Sequence, residues 1–200
     1  MRKRRGQSGF TLMEVLVTMA VILILISTLI GTAGYLRTRA DIDLTRGLLE
    51  VLCCGLCQYY DNQSPNAFPF TADLAFDEAA LESLFSPAAD VFPDGSLKEK
   101  DGNGAEISGA SSAALFYFLD RDPASRKIAS AVSNTLITNK DADGNPIKMT
   151  IGGTPYDLPR YIDPWGTSIR YVYLSGTAFP VLTSAGPDKV FDTPDDITSQ

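Results

Sequence analysis

Three aspartates near the C-terminus form the group of side chains best suited to binding a cation. Asp188, Asp195 and Asp196 lie within nine residues. The segments Ala185-Gly186-Pro187 and Thr193-Pro194 predict bends around them, so that backbone carbonyls could point inward. Calcium takes about six to eight oxygen ligands from carboxylates and carbonyls. The spacing therefore suits a calcium loop, and the alternative is a solvated acidic turn near a chain terminus.

A second group of residues lies near the N-terminus and suggests proteolytic processing followed by charge pairing. Gly9 would let an extended chain approach a protease active site closely, because it has no side chain. Cleavage before Phe10 would create a free amine. Glu14 begins an apolar run, where a carboxylate is costly unless it is paired. If helices of neighbouring subunits pack together, Glu14 of one could pair with the Phe10 amine of the next and fix their axial register.

The histidine and cysteine content limits the other chemistry. The chain has no histidine, which excludes Ser-His-Asp and Cys-His catalysis and histidine-containing zinc sites. Its three cysteines are Cys53, Cys54 and Cys57, an odd number that cannot be fully paired within one chain. We interpret them as small apolar residues on a buried helix face. A contact between subunits and a redox or metal role are the alternatives.

Two further acidic segments are predicted to be structural turns. Asp163-Pro164-Trp165-Gly166 combines a capping aspartate, a proline that sets φ, an anchoring tryptophan and a glycine that permits positive φ. Asp141-Ala142-Asp143-Gly144-Asn145 resembles the start of a calcium loop, but Pro146 and Gly152 occupy positions where an EF-hand needs glycine and an acidic ligand. We predict a plain turn there.

The elements that position these groups begin with a basic leader and a long helix. After the leader, 22 residues without a charge separate Glu14 from Arg37. As a helix they would span about 33 Å, which matches a bilayer core of about 30 Å. The basic cluster precedes this run, so the positive-inside rule places the N-terminus in the cytoplasm. No proline interrupts residues 1–64, which predicts one helix of about 50 residues.

Beyond residue 36 the patterns predict an α+β fold, in which this helix packs on a small antiparallel β-sheet domain with a C-terminal loop. The soluble part of the helix should bury an apolar stripe that includes Leu44, Leu48, Leu52 and Leu56. Residues 72–85 predict a helix, and the apolar run at 112–119 is a buried helix or strand, of which we favour the helix. The stretch at 87–112 is loop-like, with turn signals at 93–95 and 101–104, and residues 126–139 are ambiguous. Strands 168–174 and 178–183 are predicted to form a hairpin around a turn at 175–177. The predicted segments are a leader (1–9), a transmembrane and assembly helix (10–36), its soluble continuation (37–64) and a globular domain (65–200).

Gly9-Phe10-Thr11-Leu12-Met13-Glu14, after a basic leader and before a membrane helix, resembles the prepilin peptidase signal of type IV pilins and pseudopilins. The resemblance implies cleavage after Gly9, N-methylation of Phe10 and an assembly role for Glu14. A secretory signal peptide and a plain membrane anchor explain this motif less well. Many type IV pilins carry a proline inside this helix, where this chain has Gly31.

The C-terminal region resembles the major pseudopilin of type II secretion systems. There a D-P-W-G turn leads into the sheet, and an S-x-G-x-D loop ends with paired aspartates around calcium; here these are residues 163–166 and 184–196. The resemblance implies a structural Ca²⁺ held by the side chains of Asp188 and Asp195, then by Asp196, with Ala185 supplying a backbone oxygen. Residues 65–155 resemble nothing that we can name.

The resemblance implies a filament subunit rather than an enzyme: a pseudopilus subunit acting in type II protein secretion. The alternatives are a type IV pilin or minor pilin, for adhesion, motility or DNA uptake, and more remotely a membrane-anchored enzyme with a carboxylate site. The implied partners are identical and related pilin-like subunits, prepilin peptidase and an inner-membrane secretion or pilus assembly platform. The protein would cross the inner membrane once, with its C-terminal domain in the periplasm. Nucleic acid is not an expected partner, because the formal charge is −7 and the body is acidic.

Overall fold

A computed structural model describes residues 11–63, 68–69, 98–140, 144–151, 154–173 and 178–200 of the chain. The architecture is α+β, with a long N-terminal helix followed by short helices and small antiparallel sheets, which confirms the predicted fold class. Several predicted features lie outside the described residues: Gly9, Phe10, Asp141, Asp143, the helix at 72–85, and the turns at 93–95 and 175–177.

The first helix, α1, runs from Leu12 to Asn62, a length of 51 residues, and confirms the prediction of one long helix. The chain divides into two compact units, residues 1–40 and 41–200. In the first unit the large apolar side chains of α1 are exposed, from Leu12 at 83% to Ile26 at 46%. Within the described part of the chain, no helix combines the length and apolar character required to cross a membrane.

The second unit contains, besides the end of α1, two α-helices, one 3₁₀ turn and nine short strands among the described residues. The helices are α2 (Ala110–Arg121) and α3 (Pro123–Ala129), and the 3₁₀ turn is Asn134–Leu136. The strands are β1 (Lys98–Lys100), β2 (Glu106–Ser108), β3 (Ile137–Thr138), β4 (Lys148–Ile151), β5 (Thr154–Asp157), β6 (Arg160–Tyr161), β7 (Arg170–Val172), β8 (Val181–Ser184) and β9 (Ile197–Thr198).

All strand pairs are antiparallel. They form the two-stranded sheets β1–β2, β3–β6 and β4–β5 and the three-stranded sheet β7–β8–β9. The predicted hairpin is confirmed in its pairing, since Arg170 lies opposite Thr183 and Val172 opposite Val181. Strand β9 then pairs with the end of β8, so the chain leaves this sheet at Ser184 and returns at Ile197.

The core of the second unit forms where α1 and α2 meet the strands. Leu48, Leu49, Leu52 and Leu56 of α1 are buried together with aliphatic and aromatic side chains of α2 and strands β6 to β9. The predicted stripe is therefore confirmed over these residues. The prediction that Leu44 is buried is wrong, because its side chain is 46% exposed. Thr45 is buried instead, and its hydroxyl donates to the Asp41 carbonyl at 2.8 Å, so its polar group is satisfied within the helix.

Helix α2 confirms the helix predicted at 112–119 and positions two strands. The buried Ser112 hydroxyl accepts from the Tyr161 amide at 2.9 Å and donates to the Tyr161 carbonyl at 2.7 Å. The Ser111 hydroxyl accepts from the Tyr171 amide at 3.2 Å. These hydroxyls supply partners to backbone groups that would otherwise be costly to bury.

The loop predicted over residues 87–112 is wrong for its last part, because residues 98–108 form the β1–β2 hairpin. Its turn is the predicted signal at 101–104. The Asp101 carboxylate accepts from the amides of Asn103 and Ala105 at 2.9 and 2.7 Å, and Gly104 has φ +83°. The strands themselves have polar sequences, and Glu99 of β1 is buried against partners far along the chain.

Candidate functional site

The N-terminal end of α1 is built by a reciprocal capping box. Thr11 precedes the first helical residue, and its hydroxyl accepts from the Glu14 amide at 3.2 Å. In return Glu14 Oε2 accepts from the Thr11 amide and hydroxyl, both at 3.2 Å. This pattern satisfies backbone donors that the first turn of a helix leaves unpaired. The structure thus gives the Glu14 carboxylate a role inside a single subunit, which the sequence analysis did not predict.

The aspartates at the C-terminus lie on a loop between β8 and β9 that we call the aspartate loop, residues 185–196. Asp188 Oδ1 accepts from the Val190 amide at 2.8 Å, and Asp195 Oδ2 accepts from the Asp188 amide at 3.2 Å. Asp196 Oδ2 accepts from the Asp192 amide at 2.8 Å. The carboxylates therefore fold the loop by accepting from its own amides.

Hydrogen bonds within the loop lower the pKa of one of these carboxylates. The Thr193 hydroxyl donates to Asp195 Oδ1 at 2.6 Å, and this bond is the largest cause that lowers the pKa of Asp195 below its ordinary value. Burial opposes this shift, and the hydrogen bond from the Asp188 amide lowers the same pKa further. Asp188 and Asp195, which the sequence analysis proposed as the principal ligands, are thus brought together.

The fit of this loop to calcium is incomplete. Over the described residues, no group of three or more His, Cys, Asp or Glu side chains converges closely enough to hold a metal ion. Ala185 is fully buried, and Asp196 is engaged with the Asp192 amide. The donors have the chemistry that calcium prefers, but their arrangement is that of a loop closed by hydrogen bonds. The calcium site stays a prediction.

The predicted turn at residues 163–166 is connected to the aspartate loop through one buried carboxylate. Asp163 Oδ1 accepts from the Trp165 and Thr167 amides at 3.1 and 2.8 Å, and Gly166 has φ +91°. Asp163 Oδ2 accepts from the Ser184 hydroxyl at 2.7 Å, whose oxygen accepts in turn from the Gly186 amide at 3.2 Å. Burial raises the pKa of Asp163, while the hydrogen bonds hold the rise back.

Gly186 occupies a position that only glycine fits. It has φ +69°, and a Cβ at this position would collide with the Asp195 carbonyl. The two ends of the aspartate loop therefore approach each other directly, and Asp163 ties their junction to the turn at 163–166. Nothing in the local sequence of either motif indicates that the two are connected.

Sequence reasoning missed a buried ion pair that joins β1 to β6. Arg160 Nε donates to Glu99 Oε1 at 2.6 Å and to the Ser168 hydroxyl at 2.9 Å. The Ser168 hydroxyl and amide donate to Glu99 at 2.6 and 3.0 Å. These residues lie 61 and 69 positions apart from Glu99 in sequence, so no local pattern indicates the pairing. The network holds the β1–β2 hairpin next to the turn at 163–166.

The interpretation of the cysteines as buried is wrong for two of them. All three thiols are free; Cys54 and Cys57 are exposed and Cys53 is half-buried. The helix is amphipathic, and its buried positions in this region are taken by Leu52, Gly55 and Leu56, which leaves Cys54 and Cys57 on the solvent side. Burial raises the pKa of the Cys53 and Cys57 thiols, so both stay protonated and weakly nucleophilic at neutral pH.

The turn predicted at residues 141–145 lies partly outside the described residues. Its flanks, Lys140 and Pro146, pair across an antiparallel bridge, and Gly144 has φ +86°. Both observations fit a plain turn.

Residues 4–30 match the family described as the prokaryotic N-terminal methylation motif. The matched range contains Gly9, Phe10 and Glu14 and ends within α1. This motif is the signal of type IV pilin-like precursors that prepilin peptidase processes. No curated protein and no solved structure matches the chain significantly.

Proposed function

We propose that this protein is a structural subunit of a pseudopilus, a helical filament that acts in type II protein secretion, made as a precursor cleaved after Gly9. The observation that carries the proposal is the methylation motif over residues 4–30, which overlaps the first part of a 51-residue helix. A protease signal joined to a long helix suits assembly through that helix. Phe10 would become the N-methylated first residue of the mature subunit.

The exposed side chains of the first unit support an assembly and membrane role. From Leu12 to Ile26, most of the large apolar side chains of α1 are exposed in the described structure. Exposed apolar surface of this extent marks a site for contact with lipid or protein. The basic leader predicts that the N-terminus faces the cytoplasm, with the globular domain in the periplasm and the helix anchored in the inner membrane.

A pseudopilus is favoured over a type IV pilus by the C-terminal region. The sequence has no cysteine after Cys57, so a disulfide-closed C-terminal region, which would favour a type IV pilin, cannot form. The C-terminal region carries the aspartate loop instead, which the resemblance associates with a pseudopilin. A type IV pilin or minor pilin is the second candidate. A membrane-anchored enzyme is the remote candidate, since the methylation motif points to a structural protein.

Processing is tested by mass spectrometry of the protein from a host with a prepilin peptidase. Wild-type protein should begin at Phe10 and carry an added methyl group. Gly9→Val should remain uncut, because a branched side chain blocks close approach at the scissile bond. Gly6→Val, a matched change three residues earlier in the leader, should be cut normally. An intact leader on the wild-type chain, or a cut near Ala33, would overturn the proposal.

We also propose that the aspartate loop binds one Ca²⁺ through Asp188, Asp195 and Asp196, with the Ala185 carbonyl. The support is the oxygen donor set and the position of Asp195, whose Oδ2 lies 3.2 Å from the Asp188 amide nitrogen. An ion that binds only the folded state stabilises it by about 2.7 kcal/mol at a hundredfold excess over Kd.

The calcium proposal is tested by melting the full-length protein in calcium and in EGTA. Calcium should raise the melting temperature of the wild type, and Asp188→Ala should abolish the rise. Asp143→Ala is the matched control, because it removes the same charge from the other acidic turn and should leave the rise intact. Equal melting curves in calcium and EGTA would remove calcium from a structural role. A larger loss in Asp143→Ala would show that the wrong loop was chosen.

A further inference from the structure

The aspartate loop contains four aspartates and one lysine, so its own charges oppose its folding. The β8 and β9 strands hold its two ends at Ser184 and Ile197. The carboxylates of Asp188, Asp195 and Asp196 accept from amides and a hydroxyl inside the loop, and these neutral donors leave their charge in place. A cation from outside the loop would oppose the repulsion.

Arg170 of β7 supplies such a cation. Its Nη1 lies 3.1 and 3.3 Å from the two carboxylate oxygens of Asp192, in the middle of the loop. Its guanidinium carbon lies 3.8 Å from the centre of the Phe191 ring. One side chain therefore holds two consecutive loop residues, the first by a cation–π contact and the second by an ion pair. Arg170 is itself fixed by strand pairing with Thr183.

The residue that Arg170 holds is the one that places the aspartates. Asp192 has φ +68°, a left-handed conformation that few side chains adopt readily. In that conformation its amide donates to Asp196 Oδ2 at 2.8 Å. The next residue, Thr193, donates to Asp195 Oδ1 at 2.6 Å. The positions of both paired aspartates thus follow from the conformation held at Asp192.

We propose that Arg170 is the resident cation of the aspartate loop, a positioning residue that keeps the loop folded when no divalent ion is bound. By contacting Phe191 and Asp192, Arg170 holds Asp195 and Asp196 in position for a divalent ion. The proposal deepens the calcium site proposed above, yet it makes its own claim about the metal-free protein.

The test is trypsin cleavage after the exposed Lys189 in full-length protein kept in EGTA. Release of the 190–200 fragment, followed by mass spectrometry, reports opening of the loop. Because the ion pair is partly exposed, we expect Arg170→Gln to speed cleavage by about three- to tenfold. Arg126→Gln, which removes an exposed arginine of α3, should leave the rate unchanged. Arg170→Lys should lie between, since lysine keeps the charge but lacks the planar fork.

A second variant keeps the test informative in case Arg170→Gln misfolds. Asp192→Asn removes the same ion pair from an 82% exposed side chain, and asparagine tolerates positive φ. It should speed cleavage as well, and the double variant should be no faster than Arg170→Gln. High salt should speed cleavage of the wild type but not of Arg170→Gln, because screening weakens only a charge pair that exists.

The outcomes separate this proposal from the calcium proposal. Equal cleavage of wild type and Arg170→Gln in EGTA would overturn it, as would additive effects in the double variant. If both behave as expected and calcium then slows cleavage of Arg170→Gln, both proposals stand. If calcium changes nothing, the role of Arg170 stands and the calcium site fails.

Discussion

The two ends of the chain differ in which side chains they expose and which they bury. The large apolar side chains that stay exposed among the described residues all lie on α1, from Leu12 to Leu44. Among the described residues, the buried polar and charged ones other than Thr45 all lie between Glu99 and Ser184. The N-terminal region therefore leaves its apolar surface exposed, whereas the C-terminal region pairs most of its buried polar groups internally, although Arg160 Nη1 has no hydrogen-bond partner in the part of the chain that the structure describes. Changes in the first should affect assembly, and changes in the second should affect folding.

The largest expected effect separates the two roles of Glu14. Glu14→Val removes both the carboxylate that closes the capping box and the charge available to a neighbouring amine. Glu14→Gln keeps the box, because glutamine also serves at this position, and removes only the charge. If the charge sets the register, both variants should fail to form filaments by electron microscopy, while Thr11→Ala, which keeps the charge and loses part of the box, should assemble.

The alternative result would assign Glu14 to the helix rather than to assembly. In that case Glu14→Gln would form normal filaments and Thr11→Ala would lose them. All three variants should still be cleaved after Gly9, since the scissile bond lies outside the box. A cap of this kind contributes about 1 kcal/mol, too little to abolish a filament unless assembly depends on the first turn.

The sequence predicted the N-terminal region better than the C-terminal one because its information is local. Gly9, Phe10 and Glu14 fall within six residues, and the long apolar run has no helix breaker except glycine. In the C-terminal region the informative contacts are distant. Glu99 pairs with Arg160 and Ser168, and Asp163 pairs with Ser184. A local sequence pattern assigns such polar residues to the surface, because their partners are distant in sequence.

The errors on α1 have a related cause. An amphipathic pattern indicates which face of a helix is buried but not how wide the contact is. Leu44 lies at the edge of that face and stays exposed, whereas Thr45 is buried. Burial of Thr45 is tolerated because its hydroxyl donates to the Asp41 carbonyl in the same helix. Cys54 and Cys57 were assigned by residue type, since free cysteine is usually buried. Their positions on the helix place them outside the stripe.

A smaller effect compares two leucines on the same helix. Leu52 is fully buried in the core of the second unit, and Leu23 is 64% exposed in the first. Leu52→Ala should lower the free energy of unfolding of the globular domain by about 2–5 kcal/mol, through lost burial and the cavity left behind. Leu23→Ala should change it by less than about 0.5 kcal/mol. Urea denaturation of full-length protein in detergent measures both.

Equal losses from the two leucines would contradict the comparison between regions. If Leu23→Ala instead impairs only the yield of filaments, its side chain contributes to contacts outside the chain. That outcome would support the proposed role of the exposed apolar surface of α1 in contacts with lipid or neighbouring subunits.

The smallest expected effect is a pH dependence of opposite sign at two aspartates that lie on the same structural unit. Burial raises the pKa of Asp163 above the ordinary value of 3.8, whereas hydrogen bonds, first of all from Thr193, lower that of Asp195. Folding thus favours the protonated form of Asp163 and the ionised form of Asp195. The contribution of Asp163 is present below pH 3.8 and is lost as the pH rises through its raised pKa. The contribution of Asp195 is present above pH 3.8 and is lost as the pH falls through its lowered pKa.

Asparagine variants test the opposite signs of this pH dependence, because asparagine does not titrate and has nearly the same shape as aspartate. Relative to wild type, the free energy of unfolding of Asp163→Asn should improve as the pH rises above 3.8. That of Asp195→Asn should improve as the pH falls below 3.8, since the wild type loses its advantage there. Denaturation across this range measures both slopes. If Asp163→Asn shows no slope, the hydrogen bonds from Ser184, Thr167 and Trp165 offset its burial in full. Asp163 would then connect the turn to the aspartate loop at no electrostatic cost. The C-terminal region would in that case compensate the burial of an ionised carboxylate as fully as it compensates the burial of neutral polar groups.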